Sequence, residues 1–221
     1  MALKLSPTME EYLEAIYKLQ NEFGMAKTTS LAKNLGVALG SVTNTVRKLK
    51  RLNLITHISY KGVKLTGRGE KAALSVVRRH RLSERLLTDL LGMDWDKVHE
   101  DACMLEHSIS EDVASLIERS LNHPETCPHG NPVPSQEGKV FEDESLKPLT
   151  EIKPKEKFII VKITEENPDL LRYLKQHHIT PKAYAKIQEL IPPDNSISIK
   201  ADDEVHYITQ QLASKIWVKK L

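Results

Sequence analysis

The 221 residues predict a mainly α, multidomain protein that ends in a small β domain, and three features of the sequence carry this prediction. Helical periodicity runs from Pro7 to about Leu121. A polar, Pro-rich stretch, NHPETCPHGNPVPSQEGK, interrupts it, and from Lys147 the texture changes to short β-prone runs. A chain of this length with 40% apolar content can fill one large or two to three small cores. No stretch approaches the ~18 apolar residues of a membrane span, and MALKLSPTMEEY lacks the apolar run of a signal peptide. Two cysteines, Cys103 and Cys127, cannot make a disulfide framework. The expectation is a cytoplasmic protein with no membrane partner.

Residues 7–22 read as the first helix, with Tyr12, Leu13, Ile16, Tyr17 and Leu19 apolar and either Ser6 (followed by Pro7) or Thr8 as cap. TTSLAKNLG gives a second, short helix ending at Gly36. In ALGSVTNTVRKLKRLN, Val42, Val46 and Leu49 fall at i, i+4 and i+7 and make a buried face, with Asn44, Arg47, Lys48 and Arg51 opposite. LITHISYKGVKLT then carries two β-prone runs around Tyr60, Lys61 and Gly62, a hairpin. Helix, turn, helix and hairpin in this order make a winged helix-turn-helix whose residues 40–52 would enter a major groove.

Charge supports that reading. Net charge is only +2, yet Lys27–Lys71 holds ten basic residues and one acid, Glu70. Such a surface suits a polyanion, double-stranded DNA, rather than a solvated face alone. Gly40, Ser41 and Asn44 sit where bases would be read, Arg47, Lys48 and Arg51 where phosphates would be met, and Lys61 on the wing.

A long helix is expected from about Gly67 to Leu91, stopped by Gly92. An acidic helix follows behind Asp94 and ends near Leu121, in a segment, Met93–Glu125, with nine acids against Lys97 and Arg119. At about 100° per residue, its His99, Cys103, Glu106 and His107 share an arc of roughly 100°, while Ala102, Leu105, Ile109, Val113 and Leu116 form a separate apolar stripe. Imidazole, carboxylate and thiolate on one face suit a first-row divalent metal; a wet, acidic helix face is the competing reading. His80 and Glu84, at i and i+4 on the preceding helix, can meet His99 if the two helices pack antiparallel. Glu11 has the spacing of a capping box with Thr8, and Glu14 that of an ion pair with Lys18. The Cys127-Pro-His129 run is expected to be a tight loop, since four-ligand sites need further partners. Beyond the linker, EKFIIVKIT, AYAKIQELI, SISIKA and KIWVKKL are strands and DLLRYLKQHHI a helix between the first two, the pattern of a small SH3-like barrel.

MEEYLEAIYKL, SVTNTVRKLKRLNLI, LTGRGEKAA, RRHRLSERLLTDLLG, KVHEDACMLEHSISED and HGNPVP occur in order, and with them the sequence resembles the diphtheria toxin repressor and iron-dependent regulator family, which includes the manganese transport regulators. The resemblance covers residues 6–134 closely and the SH3-like part more loosely. It implies a metal-dependent transcriptional repressor, a homodimer on a palindromic operator, with Fe²⁺, or alternatively Mn²⁺, as corepressor and two metal sites per subunit. His80, Glu84 and His99 match the ancillary site; Glu11, Cys103, Glu106 and His107 match the primary one. Iron-type members carry methionine where Glu11 stands and manganese-type members aspartate. Cys103 is the iron-type residue, and Glu14 matches a manganese-type carboxylate. A gapped alignment points to Glu166 and Asp169 as third-domain ligands. The implied domains are 1–73 for DNA binding, 74–138 for dimerisation and metal, linker included, and 147–221 for the SH3-like part. A metallohydrolase, the rival from another class, would need an open coordination position and a general base that no motif here supplies.

Overall fold

The computed structural model describes residues 5–58, 61–202 and 204–221. Tyr60, in the expected hairpin, and the first four residues of MALKLSPTMEEY lie outside them. The chain divides into two compact units. One holds the residues up to His80 with Leu105–Glu111 and Pro134–Val140; the other holds Arg81–Met104, Asp112–Val133 and Phe141–Leu221.

In the first unit, α1 (Pro7–Phe23) starts behind Ser6, with Pro7 in its first turn, and stops at Gly24, whose φ of 74° is left-handed. Ser6, not Thr8, is therefore the cap, and Glu11 is released from the capping-box role. Glu14 pairs with Lys18 at 3.1 Å, as its spacing predicted. α2 (Thr28–Asn34) and α3 (Leu39–Arg51) follow, and α3 buries Val42, Val46 and Leu49. These join Leu13, Ile16, Leu31, Leu54, Ile55 and Val63 in one core, so the apolar stripe of α3 faces α1 and α2 and its basic side faces solvent.

The wing is an antiparallel pair, β1 (Ile55–Ile58) and β2 (Gly62–Leu65), in the register Ile55↔Leu65 to Ile58↔Gly62. Ala26 and Val63 exchange both backbone hydrogen bonds, at 3.1 and 2.9 Å, which docks the wing on the α1–α2 turn. Gly62 makes this possible: its φ is 132°, and a Cβ there would run into the carbonyl oxygen of Ala26.

α4 (Gly67–Arg85) is extended by a five-residue π turn (Leu86–Leu90) that ends before Gly92, φ 72°. The single acidic helix expected to Leu121 is two helices, α5 (Val98–Glu106) and α6 (Glu111–Ser120). The break falls at His107–Ser110, where Ser108 and Ile109 fold back on the Leu105 carbonyl and Ser110 precedes two acids, an N-terminal signature. The expected apolar stripe breaks with it: Ala102 is fully buried, whereas Val113 is 43% and Leu116 53% exposed.

The β part of the second unit runs β3 (Lys147–Pro148), a 3-10 turn (Leu149–Glu151), β4 (Lys157–Ile163), α7 (Pro168–Gln176), β5 (Tyr184–Ile191), β6 (Ser196–Ala201), β7 (Glu204–Ile208), α8 (Gln210–Ala213) and β8 (Ile216–Lys220). The strands form one antiparallel, SH3-like sheet of order β3-β8-β4-β5-β6-β7, open between β3 and β7 among the described residues rather than closed as a barrel. Phe158, Ile160, Leu171, Leu174, Ile187, Ile199 and Val218 fill its core. β7 and α8 went unread in the sequence because EVHYI is short and follows an acidic turn. The loop after α6 is bonded to β4: Ile163 N donates to His129 O and Asn131 Nδ2 to Ile163 O, each at 2.8 Å.

Gly62→Ala should cost roughly 1–3 kcal/mol of folding stability, because it adds both left-handed strain and a backbone clash. Denaturant unfolding of the purified chain measures it.

Candidate metal centre

Within the first unit, α1 presents two successive acids, Glu10 and Glu11, to the segment that closes α5. His107 stands between them. Its Nδ1 lies 2.7 Å from Glu10 Oε2 and its Nε2 2.9 Å from Glu11 Oε1. Nε2 is also 3.3 Å from Glu106 Oε1. Glu106 is 1% exposed; its Oε2 accepts from His80 Nδ1 at 2.6 Å, while its buried Oε1 has no hydrogen-bond partner among the described residues. Glu11, Glu106 and His107 can thus aim one donor atom each into a common space, the three lying within 4.8 Å of one another.

The electrostatics of this group are those of a site short of positive charge. Burial pushes the Glu106 carboxyl up to about 7, Glu14 adds to that, and the His80 hydrogen bond pulls the other way. His107 is raised although burial lowers it, because the Glu10 and Glu11 carboxylates outweigh desolvation. Two carboxylates and an imidazole, one buried oxygen lacking a hydrogen bond, fit a divalent first-row cation. Such an ion would replace the protons that the group otherwise retains.

A second group lies in the other unit. Glu84 on α4, Cys127 and His129 are all buried, with His129 Nδ1 3.2 Å from Glu84 Oε1 and 3.8 Å from Cys127 Sγ. His129 Nε2–H donates to the Trp95 carbonyl at 2.8 Å, which directs Nδ1 at the other two. Burial disfavours the His129 cation, yet Cys127 and Glu84 raise it to about 10. The loop reading of Cys127-Pro-His129 was right about the backbone, where Gly130 N bonds Cys127 O at 2.9 Å, but it missed the partner. Glu84 is far upstream, and no local spacing announces it.

The remaining expected residues are placed as follows. His99 and Cys103 face each other one turn apart on α5, Nε2 to Sγ 3.7 Å. Glu166 brings a carboxylate 3.8 Å from His99 Nε2. Asp169 is 86% exposed and tied to Arg172 at 3.0 Å. On the DNA-reading side, Gly40, Ser41, Asn44, Arg47, Lys48, Arg51 and Lys61 are all exposed, and Arg47 donates to Asn44 Oδ1 at 3.4 Å. Among the described residues, no helix is long and apolar enough to cross a membrane.

Known proteins resemble this chain along most of its length. Residues 4–63 match the iron dependent repressor N-terminal DNA binding domain, 66–135 the iron dependent repressor metal binding and dimerisation domain, and 147–220 the FeoA domain. The iron-dependent repressor IdeR of Mycobacterium leprae is 32% identical over 228 residues, taking in 98% of this chain and 99% of its own. The diphtheria toxin repressor of Corynebacterium jeikeium is 38% identical over 130 residues, 59% of this chain and 54% of its own. Among solved structures, a manganese-dependent transcriptional repressor in complex with manganese superposes with a TM-score of 0.88 at 30% identity, covering 96% of this chain and all of that one.

The raised carboxyl of Glu106 has a consequence for the metal-free chain. A folded value near 7 against an ordinary 4.5 means that the folded state binds the extra proton between those limits. Stability should therefore fall as pH rises from about 4.5 through about 7. The raised His107 acts in the same direction, since the stability gained from its protonated form is lost as pH climbs through its folded value. Thermal unfolding in chelator at a series of pH values tests this, and Glu106→Gln should flatten the profile.

Proposed function

Because this chain belongs to the iron-dependent repressor family, we propose that the ion held by Glu11, Glu106 and His107 is the corepressor that governs operator binding. The protein is a metal-dependent DNA-binding transcriptional repressor that responds to Fe²⁺ or Mn²⁺, for genes of metal uptake and homeostasis. One observation carries the assignment of the site. Glu11 comes from α1, whose Leu13 and Ile16 share a core with Val42 and Leu49 of the recognition helix, while Glu106 ends α5 and His107 is the residue after it. An ion joining these donors holds the DNA-reading body against residues 105–107.

Residues 1–73 serve as the DNA-binding domain, 74–138 as the dimerisation and metal domain and 147–221 as the SH3-like domain. Glu84, Cys127 and His129 supply a second site. Within the first unit His80, against Glu106, is an outlying donor of the first site, and within the second unit His99 and Cys103, with Glu166 beside them, are outlying donors of the second; Asp169, held by Arg172, contributes least. Asn44, Gly40 and Ser41 approach base edges, and Arg47, Lys48, Arg51 and Lys61 approach phosphates of double-stranded DNA.

The partner across the two-fold axis of a palindromic operator is a second copy of this chain. Leu90, Leu91, Met104, Val113 and Leu116 are large apolar residues left 43–69% exposed on the helical part of the second unit. Such a set is expected at a subunit seam.

Two experiments follow. Operator affinity measured anaerobically with Mn²⁺ or Fe²⁺ and again in chelator should differ strongly for the wild type. In Glu11→Gln the metal response should shrink by about 1–3 kcal/mol of coupling. Equal affinity with and without metal in the wild type would overturn the mechanism. Separately, sedimentation velocity should show a dimer for the wild type and a monomer for Leu116→Glu; a dimer that persists unchanged places the seam elsewhere.

A further inference from the structure

The two acids of α1 meet one imidazole from opposite sides, and only one of them is accounted for by metal binding. A ligating imidazole gives one nitrogen to the ion, and its other nitrogen keeps a proton that needs an acceptor. Nε2 of His107 is the nitrogen that faces Glu11 Oε1 at 2.9 Å and Glu106 Oε1 at 3.3 Å, so Nδ1 must be the protonated one. Its acceptor is Glu10 Oε2, 2.7 Å away.

Glu10 is itself held. Its Oε1 accepts from Arg79 Nη2 at 2.8 Å, and Arg79 is 8% exposed. The rest of that guanidinium is directed at the same neighbourhood: Nε donates to the backbone carbonyl of Glu106 at 2.7 Å, and Nη1 to Glu111 Oε1 at 3.2 Å and Ser75 Oγ at 3.0 Å. Arg79 therefore binds the main chain of one candidate ligand and, through Glu10, the ring of the next.

We infer that Glu10 is a positioning residue of the metal centre: with Arg79 behind it, it fixes His107 in the Nδ1–H tautomer and orients Nε2 toward the ion, while Glu11 alone of the two acids ligates. This rests on the reading of Glu11, Glu106 and His107 as a metal group. Glu10 also serves as counter-ion to a buried arginine, so a plain deletion would confound positioning with folding. Two conservative changes separate the roles. Glu10→Gln keeps the length and removes the charge; Glu10→Asp keeps the charge near Arg79 and withdraws the carboxylate from His107 by one methylene.

The full chain and both variants are titrated with Mn²⁺, the free ion being followed by its electron paramagnetic resonance signal. The ¹⁵N resonances of the His107 ring are followed across a pH series in the metal-free proteins, and the tautomer is read where the ring is neutral. Both variants should weaken one class of Mn²⁺ site about 10- to 100-fold, the range for losing an outer-shell partner of a ligating histidine. The other class should be unchanged, and the His107 Nδ1–H signal should move toward mixed tautomers. Affinity within twofold of wild type in both variants, with unmoved ring resonances, overturns the inference. So does a loss in Glu10→Gln that Glu10→Asp fully restores, which would leave Glu10 as no more than the counter-ion of Arg79. If the wild type takes up no Mn²⁺ or Fe²⁺ at all, the metal reading fails instead, and the ring resonances still decide whether Glu10 sets the tautomer.

Discussion

The first unit is organised around a surplus of carboxylate at one buried place. Glu106 is almost wholly enclosed, Glu14 is buried beside it, and Glu10 and Glu11 reach the same imidazole from α1. Burying a charged carboxylate costs several kcal/mol unless a cation or hydrogen-bond donors compensate. The chain meets part of that cost with Lys18 on Glu14, Arg79 on Glu10 and His80 on one oxygen of Glu106. The remaining deficit falls on Glu106 Oε1, and protons make it up in the absence of an ion, which is why Glu106 and His107 both hold theirs to higher pH than usual. A divalent ion bound here would displace those protons, so metal and pH would act on the same atoms.

The two candidate groups differ in hardness, and that bears on selectivity. Glu11, Glu106 and His107 offer oxygen and nitrogen only, which admits manganese as readily as iron, whereas Glu84, Cys127 and His129 include a thiol that favours softer ions. Raw affinity in either would follow the Irving–Williams order and prefer copper or zinc, so discrimination has to come from geometry and from how the ion couples to structure. Here the placement of Cys103 matters. It faces His99 on its own helix at 3.7 Å, and the group that touches α1 is the one built from carboxylates and an imidazole.

Local periodicity made much of this legible in the sequence. Val42, Val46 and Leu49 named the inner face of α3, and the exposed Asn44, Arg47, Lys48 and Arg51 followed from it. The hairpin and the strands β4, β5, β6 and β8 were also readable from alternation and turn residues. What periodicity could not supply was contact between distant segments. Extending one helical phase through His107–Ser110 placed Val113 and Leu116 in a core they do not enter, because a helix break resets the phase and a run of polar residues does not reveal whether it breaks. Glu84 with Cys127 and His129 is a tertiary meeting with no common motif. Glu10 was hidden by its neighbour: adjacent acids on a helix point about 100° apart and look like a solvated edge, until a ring is inserted between them.

That insertion explains how a small ion can act on a large body. α1 is not a free helix carrying a ligand. Tyr12, Leu13 and Ile16 belong to the core that also contains Leu31, Val42, Leu49 and Val63, and Gln20 Oε1 accepts from Leu65 N of the wing at 2.9 Å. The recognition helix, the wing and α1 therefore move as one packed object, since close-packed interiors transmit displacement rather than absorb it. Fixing Glu11 and Glu10 on either side of His107 fixes that object at a single imidazole. The restraint needs no change inside the DNA-reading domain; it limits only the freedom of α1 against residues 105–107. An ion held by Glu11, Glu106 and His107 as proposed would turn this hydrogen-bonded, titratable contact into a directional one, and the recognition helix would inherit the constraint through its core.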